Sequence, residues 1–193
     1  MNLSLGFRRF GPLAGLALAW IFFALASGPV FAGWENQRLM LLQTAVVGLA
    51  AVGATLVIAS GGIDLAVGIL IALSTMVLAW LLKEAQWPPL LAVGGALGAG
   101  LACGGLTGAL VNIPLPPFIV TLGTWGALRG LAKGLGHNQP IYPDQTWLSG
   151  LMRGGVILAP GVWIMAASAV LGAGLMRYTR FGRHLLAVGS NEK

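Results

Sequence analysis

Six long stretches nearly free of charged residues set the terms for this chain. They run over residues 10–32, 39–59, 63–82, 88–111, 116–135 and 155–176. About 20 apolar residues in a helix span a hydrocarbon core about 30 Å thick, so each stretch reads as a membrane-crossing helix. Composition excludes the soluble alternative. Of the 193 residues 57% are hydrophobic and 8% charged, against about 25% charged in an average globular domain. A water-soluble fold of this size leaves much of its surface wet and cannot hide so much apolar area. The expected fold is an all-α integral membrane protein with about six transmembrane helices.

The net charge of +6 is no nucleic-acid signal, because the basic residues lie at the ends of apolar runs. Arg8 and Arg9 precede the first run, and Arg177, Arg180 and Arg183 follow the last. That is the positive-inside pattern, and it places both ends in the cytoplasm. An even number of spans is then required, and six satisfies it. Links 35–38 and 83–87 would face outward, and links 60–62 and 112–115 inward. The first run resembles a secretory signal, with Val30-Phe31-Ala32 as a cleavage site. Its apolar part exceeds the roughly 7–15 residues of a signal core, so it reads as an uncut anchor. Cys103 stands alone, which leaves no disulfide framework or metal site and makes it a small packing residue.

Glycines crowd the fourth run. Gly94/Gly98, Gly100/Gly104 and Gly104/Gly108 each have small-xxx-small spacing. Close backbone packing attracts helices in lipid, so a helix–helix seam is the favoured reading and a pore wall the other. Pro114, Pro116 and Pro117 predict an extended segment over 112–116 and a helix beginning near Pro117. Arg129 then lies about 18 Å along that helix, short of the far surface. An ionisable residue at that depth is a functional candidate, with snorkelling as the alternative for it and for Lys133. Link 136–154 carries His137, Asn138, Gln139, Tyr142, Asp144 and Trp147. It reads as an outer interfacial loop anchored by Trp147, or else as a docking surface. His137 has no second histidine or cysteine close by, so no metal site is expected.

Three stretches carry the functional signal. The first is Gly61-Gly62-Ile63-Asp64-Leu65-Ala66-Val67-Gly68, where Asp64 either N-caps the third helix or contacts a polar substrate. The second is Pro116-Pro117-Phe118-Ile119-Val120-Thr121-Leu122-Gly123-Thr124, followed by Arg129-Gly130. Its threonines can return their hydroxyls to their own helix, so they do not by themselves mark a polar pathway. The third is the basic tail, in which Thr179, Phe181, Gly182, Arg183, Ala187, Gly189, Asn191 and Glu192 recur below. It suits either a charged anchor at anionic lipid headgroups or a short helix docking into a cytoplasmic partner. There is no nucleophile–base pair, paired carboxylate or phosphate-binding loop, so no catalysis is expected.

Taken together and in this order, the three stretches resemble the membrane permeases of bacterial ABC importers for ribose, xylose and related sugars. The family's Gly-Gly-Ile-Asp-Leu-Ser-Val-Gly is matched except for Ala66 in place of serine. Its Pro-Pro-Phe-Ile-x-Thr-Leu-Gly and later Arg-Gly are matched by residues 116–123 and by Arg129-Gly130. Its Thr-x-Phe-Gly-Arg…Ala-x-Gly-x-Asn-Glu is matched in the tail.

The resemblance implies a permease for a monosaccharide in the bacterial inner membrane, multi-pass and with a cytoplasmic amino terminus. It implies no cofactor in this chain, with ATP bound by a cytoplasmic ATP-binding subunit. Further implied partners are a second permease subunit, identical or not, an external sugar-binding protein, and membrane lipid. Residues 1–176 would be the transmembrane region and 177–193 a cytoplasmic coupling segment. The implied path residues are Gly61, Gly62, Asp64, Pro117, Phe118, Thr121, Gly123 and Arg129. The implied coupling residues are Thr179, Phe181, Gly182, Arg183, Gly189, Asn191 and Glu192. Family members continue with further spans, so the chain is expected to be incomplete relative to a full-length permease, as a split subunit or a remnant. The related permeases for branched-chain amino acids and an ion-coupled secondary transporter remain as alternatives.

Overall fold

The structure, a computed structural model, describes residues 3–153 and 159–190, with side chains described from Phe10 onward. Among the described residues every regular element is helical. That is the outcome lipid demands, because backbone groups there must be satisfied within the segment. The order is α1 (Leu3–Ser27), α2 (Pro29–Ala32), α3 (Trp34–Ala59), α4 (Val67–Lys83), α5 (Pro89–Val111), α6 (Pro117–Leu135), a 3-10 turn (Trp147–Leu151), α7 (Pro160–Tyr178) and α8 (Arg180–Ser190). Each of the six apolar runs has most of its described length on a long helix. Phe10–Ser27 of α1, α3, α5 and α7 are long and apolar enough to cross a membrane, and α4 is a shorter apolar helix of 17 residues. Helix α6 carries Arg129 and Lys133, which dilute its apolar character.

The chain divides into two compact units, Met1–Thr44 and Ala45–Lys193. In the first, run 10–32 is not one continuous helix. Gly28 adopts φ +63, outside the helical region, and Pro29 starts the short α2. The Phe31 ring then sits 6.1 Å from Trp20 and 5.7 Å from Phe23. Gln37 ties this corner by donating to the Phe31 carbonyl at 2.7 Å and accepting the Trp20 indole N–H at 3.0 Å. The side chains of Arg8 and Arg9 lie outside the described part.

In the second unit α4 is central, with α5 and α6 packed against it. Leu73, Leu128 and Ala132 form the core, and Met76, Val77 and Cys103 pack on them. Cys103 therefore fills space, as expected. Elsewhere large apolar side chains face outward, among them Leu101 at 77% and Val170 at 72% exposure. In water such faces would associate; in a bilayer they meet lipid.

Two expectations about helix ends need correction. The third span begins at Val67 rather than at Ile63. Residues 112–115 are bent rather than extended, because Asn112 and Ile113 still donate back to Ala109 and Leu110. Only Pro116 is extended, at φ −55 and ψ 130, and α6 starts at Pro117 as its prolines dictate. The sixth run's beginning, 155–158, lies outside the described residues; α7 is described from Pro160.

Link 136–153 does not hang free. His137 and Asn138 take positive φ to end α6, and the chain then folds back along α4. There Ile141, Thr146 and Leu148 face Thr75, Leu78 and Leu82 across a shared cavity. Trp147 is 59% exposed, in keeping with an interfacial anchor.

Candidate functional site

The Gly-Gly of the first stretch ends α3 in a Schellman turn. The Gly61 N–H donates to the Ile58 carbonyl at 3.0 Å and the Gly62 N–H to the Val57 carbonyl at 3.1 Å. Gly61 sits at φ +82, a left-handed conformation that side chains with a Cβ resist. The chain then runs non-helically to Ala66, the N-cap position of α4. Asp64 is not that cap. Its Oδ1 accepts the Ala66 N–H at 2.7 Å and so closes an Asx turn one step before the helix. Ala66, where the resembling family has serine, is fully buried.

The second stretch meets the first. Thr121, 3% exposed on α6, has its hydroxyl 3.2 Å from the Phe118 carbonyl in its own helix and 3.4 Å from the Ile63 carbonyl. One proton is shared between a local and a tertiary acceptor. Around this contact lies a cavity of about 250 Å³. The first and second stretches supply Gly62, Asp64, Pro117 and Thr121 to its wall. Gly104, Thr107 and Gly108 of α5 complete one side, and Ser60 the mouth of the α3 turn.

Within this chain the seam reading of the α5 glycines holds for Gly100 and not for the others singled out. A Cβ on Gly94, Gly98, Gly104 or Gly108 would meet nothing within 4 Å, while Gly100 lies against Ser74 and Gly95 against Leu81. Within this chain the contact glycines are Gly95 and Gly100, and Gly104 and Gly108 are cavity wall. Thr107 was not singled out in the sequence, and Ser60 only as part of the inward link 60–62. Thr107, a polar residue in an otherwise apolar run, was the available signal; its hydroxyl bonds the Cys103 carbonyl at 2.9 Å.

Four implied path residues are not in this cavity's wall: Gly61 lies in the turn beside it, and Phe118, Gly123 and Arg129 lie elsewhere. Phe118 is 51% exposed, and Gly123 faces open space. Arg129 stacks its guanidinium 4.9 Å from the Trp125 ring centroid and lines a separate cavity with Lys133 and Asn138. Thr124 bonds only within α6, to the Val120 and Thr121 carbonyls.

The tail residues divide by role. The Thr179 hydroxyl donates to the Leu175 carbonyl at 2.6 Å, closing α7, and accepts the Gly182 N–H at 3.1 Å, capping α8. Gly182 is buried in that elbow. A Cβ there would collide with the Met176 carbonyl oxygen and lie 2.5 Å from Met176 Cα and 2.6 Å from the Leu175 oxygen. Gly189, at the far end of α8, rests on the backbone of Ala59 and Ser60. Phe181 is 55% exposed, and Arg180 and Arg183 are exposed beside it. Asn191 and Glu192 lie outside the described residues.

The Thr121 contact makes a direct prediction. Thr121→Val removes a buried hydroxyl and leaves the Ile63 carbonyl without that partner, which costs about 0.5–1.5 kcal/mol. Thermal unfolding in detergent should show the loss for valine and its recovery for Thr121→Ser.

Comparison with known proteins now decides the family. Residues 38–193 match the family described as the branched-chain amino acid transport system / permease component. The chain belongs to this permease family. The family is one of permeases rather than enzymes, and the chain is a multi-pass integral membrane protein. The inner membrane ABC transporter permease protein YjfF of Escherichia coli K12 is 35% identical over 92% of this chain and 55% of its own length. The fructose import permease protein FrcC of Rhizobium meliloti is 33% identical over 93% of this chain and 53% of its own. The ribose import permease protein RbsC of Bacillus subtilis is 34% identical over 96% of this chain and 58% of its own. The resemblance drawn from the three stretches is thus borne out. The chain spans about half the length of the curated relatives it matches. No solved structure matches it.

Proposed function

We propose that this chain is permease material of an ATP-driven importer that carries a neutral sugar, a monosaccharide by size, across the bacterial inner membrane. The observation that carries this reading is the meeting of the first two stretches on one cavity whose largely apolar wall holds Asp64 and a few hydroxyls, in a member of a permease family. The cavity's wall offers one carboxylate and three hydroxyl side chains, and no lysine or arginine. Hydroxyl groups of a sugar find acceptors there, the Asp64 carboxylate foremost, because the Ser60, Thr107 and Thr121 hydroxyls donate to backbone carbonyls. An amino acid substrate could set its ammonium against Asp64, but its own carboxylate would find no lysine or arginine in this wall. At about 250 Å³ the space lies below the roughly 300–1,000 Å³ of sites for drug-sized ligands. Relatives named for ribose and fructose import point to the same class of substrate.

In this reading residues 1–176 are the transmembrane region and the tail from 177 is the cytoplasmic coupling segment, with the amino terminus also cytoplasmic. The exposed Phe181, Arg180 and Arg183 of α8 present an apolar and basic face to an ATP-binding subunit. A second permease subunit, an external sugar-binding protein and membrane lipid complete the assembly, and ATP belongs to the partner. Asp64, Thr121, Gly62 and Pro117 line the path, and Gly61 shapes its mouth.

The test is uptake of labelled pentoses, hexoses and leucine in cells that express the chain with its ATPase and binding-protein partners. Sugar uptake lost when the ATPase is inactivated supports the reading. Leucine uptake in its place, or uptake that tracks a proton or sodium gradient without any ATPase, overturns it. Asp64→Asn keeps an oxygen for the Ala66 N–H but removes the charge, so it should leave thermal stability nearly unchanged while lowering sugar uptake several-fold. Asp64→Ala should lower both.

A further inference from the structure

Helix α8 is held at both ends, and the second attachment falls on the cavity. Its 11 residues form a rod about 16 Å long. The near end is fixed to α7 by the Thr179 hydroxyl and the buried Gly182. At the far end there is no room for a side chain. A Cβ on Gly189 would collide with the Ala59 carbonyl oxygen and lie 3.0 Å from the carbonyl carbons of Ala59 and Ser60. From the other side, a Cβ on Gly61 would lie 3.5 Å from Gly189 Cα. Two glycine backbones therefore touch at the Schellman turn that ends α3. The residues that follow this turn, Gly62, Ile63 and Asp64, are cavity wall.

We propose that Gly189 is a positioning residue that joins α8 to the cavity turn, so that α8 and residues 59–64 move as one body during transport. This rests on the importer reading above, in which an ATPase pulls on α8. The face that meets the ATPase and the end that meets the cavity are different parts of one short helix. A displacement imposed on Phe181 and Arg183 is delivered to the Asp64 turn without passing through the length of any membrane-spanning helix. Only glycine permits the contact, because the opposing atoms are backbone and cannot swing aside.

The test uses the assembled importer in membranes. Gly189→Val should lower the sugar moved per ATP hydrolysed, counted per assembled complex, at least tenfold. A merely structural fault would lower protein amount, association and transport together, and that pattern would overturn the proposal. The second arm replaces Cys103 by serine and introduces Ala59→Cys with Ser190→Cys. A short bifunctional maleimide should bridge this pair, and transport per ATP should stay within twofold of the unbridged variant, because the two parts need not separate. Failure to bridge, or bridging that stops transport, would overturn the proposal even where Gly189→Val does not accumulate. Absence of ATP-driven uptake in the unsubstituted protein counts against the importer reading. Normal uptake there with an unchanged ratio in Gly189→Val counts against the joint alone.

Discussion

Gly182→Ala is expected to free α8 from α7 and to abolish productive association with an ATP-binding subunit. The added methyl has no escape. Its neighbours are the Met176 carbonyl oxygen, Met176 Cα at 2.5 Å and the Leu175 oxygen at 2.6 Å, all backbone atoms of the last turns of α7. A flexible side chain could yield by a rotamer change, but a helix backbone cannot. Overpacking of this kind costs about 1–3 kcal/mol, and three backbone neighbours put this site at the upper end. At about 1.4 kcal/mol per factor of ten, the undocked form of α8 should rise roughly a hundredfold. The Thr179 hydroxyl would also lose the Gly182 N–H it accepts at 3.1 Å, removing the cap of α8. Trypsin reads the change directly, since Arg180 and Arg183 lie on this helix. Cleavage after them in membranes should accelerate strongly, and co-purification of the ATPase should disappear. Unchanged cleavage would mean that the elbow does not hold α8.

The helices were legible and the contacts between them were not, for a physical reason. Apolar length marks each span independently of its neighbours, so each run has most of its described length on a helix. Local turn chemistry was partly legible. Gly61-Gly62 after an apolar run fits a C-cap and Thr179 before α8 fits an N-cap, although neither cap was drawn from the sequence above. Asp64 misled because its carboxylate does accept a backbone N–H, but that of Ala66, so the turn delays α4 by four residues relative to the expected start. The glycines of α5 misled for a different reason. Spacing says which residues share a face but not what the face meets, and Gly104 and Gly108 meet a cavity. The Thr121–Ile63 contact joins residues 58 positions apart, and no periodicity within either helix encodes it. The seat of Gly189 on Ala59 is of the same kind. Resemblance assigned Phe118, Gly123 and Arg129 to one path with Asp64, whereas within this chain they face elsewhere.

A graded series at Gly61 separates the two constraints that meet there. The first is conformational: at φ +82 an ordinary residue costs about 1–2 kcal/mol, and asparagine tolerates the region better because its short polar side chain bonds locally. The second is spatial, since the absent Cβ points toward Gly189 at 3.5 Å, an ordinary contact distance with little room beyond it. If strain dominates, stability should fall in the order glycine, asparagine, alanine, valine, although asparagine is larger than alanine. If the space beside Gly189 dominates, alanine should surpass asparagine. The φ value argues for the first order, because a methyl at 3.5 Å is accommodated whereas the left-handed turn is not negotiable for the Schellman bonds to Ile58 and Val57. Valine, branched at the very atom that crowds both the backbone and α8, should be the most damaging, with sugar uptake reduced at least tenfold. Thermal unfolding of the four proteins in detergent checks the order. The alanine variant then reports on coupling, since a loss of uptake beyond its loss of stability would trace to the contact with α8 rather than to the turn.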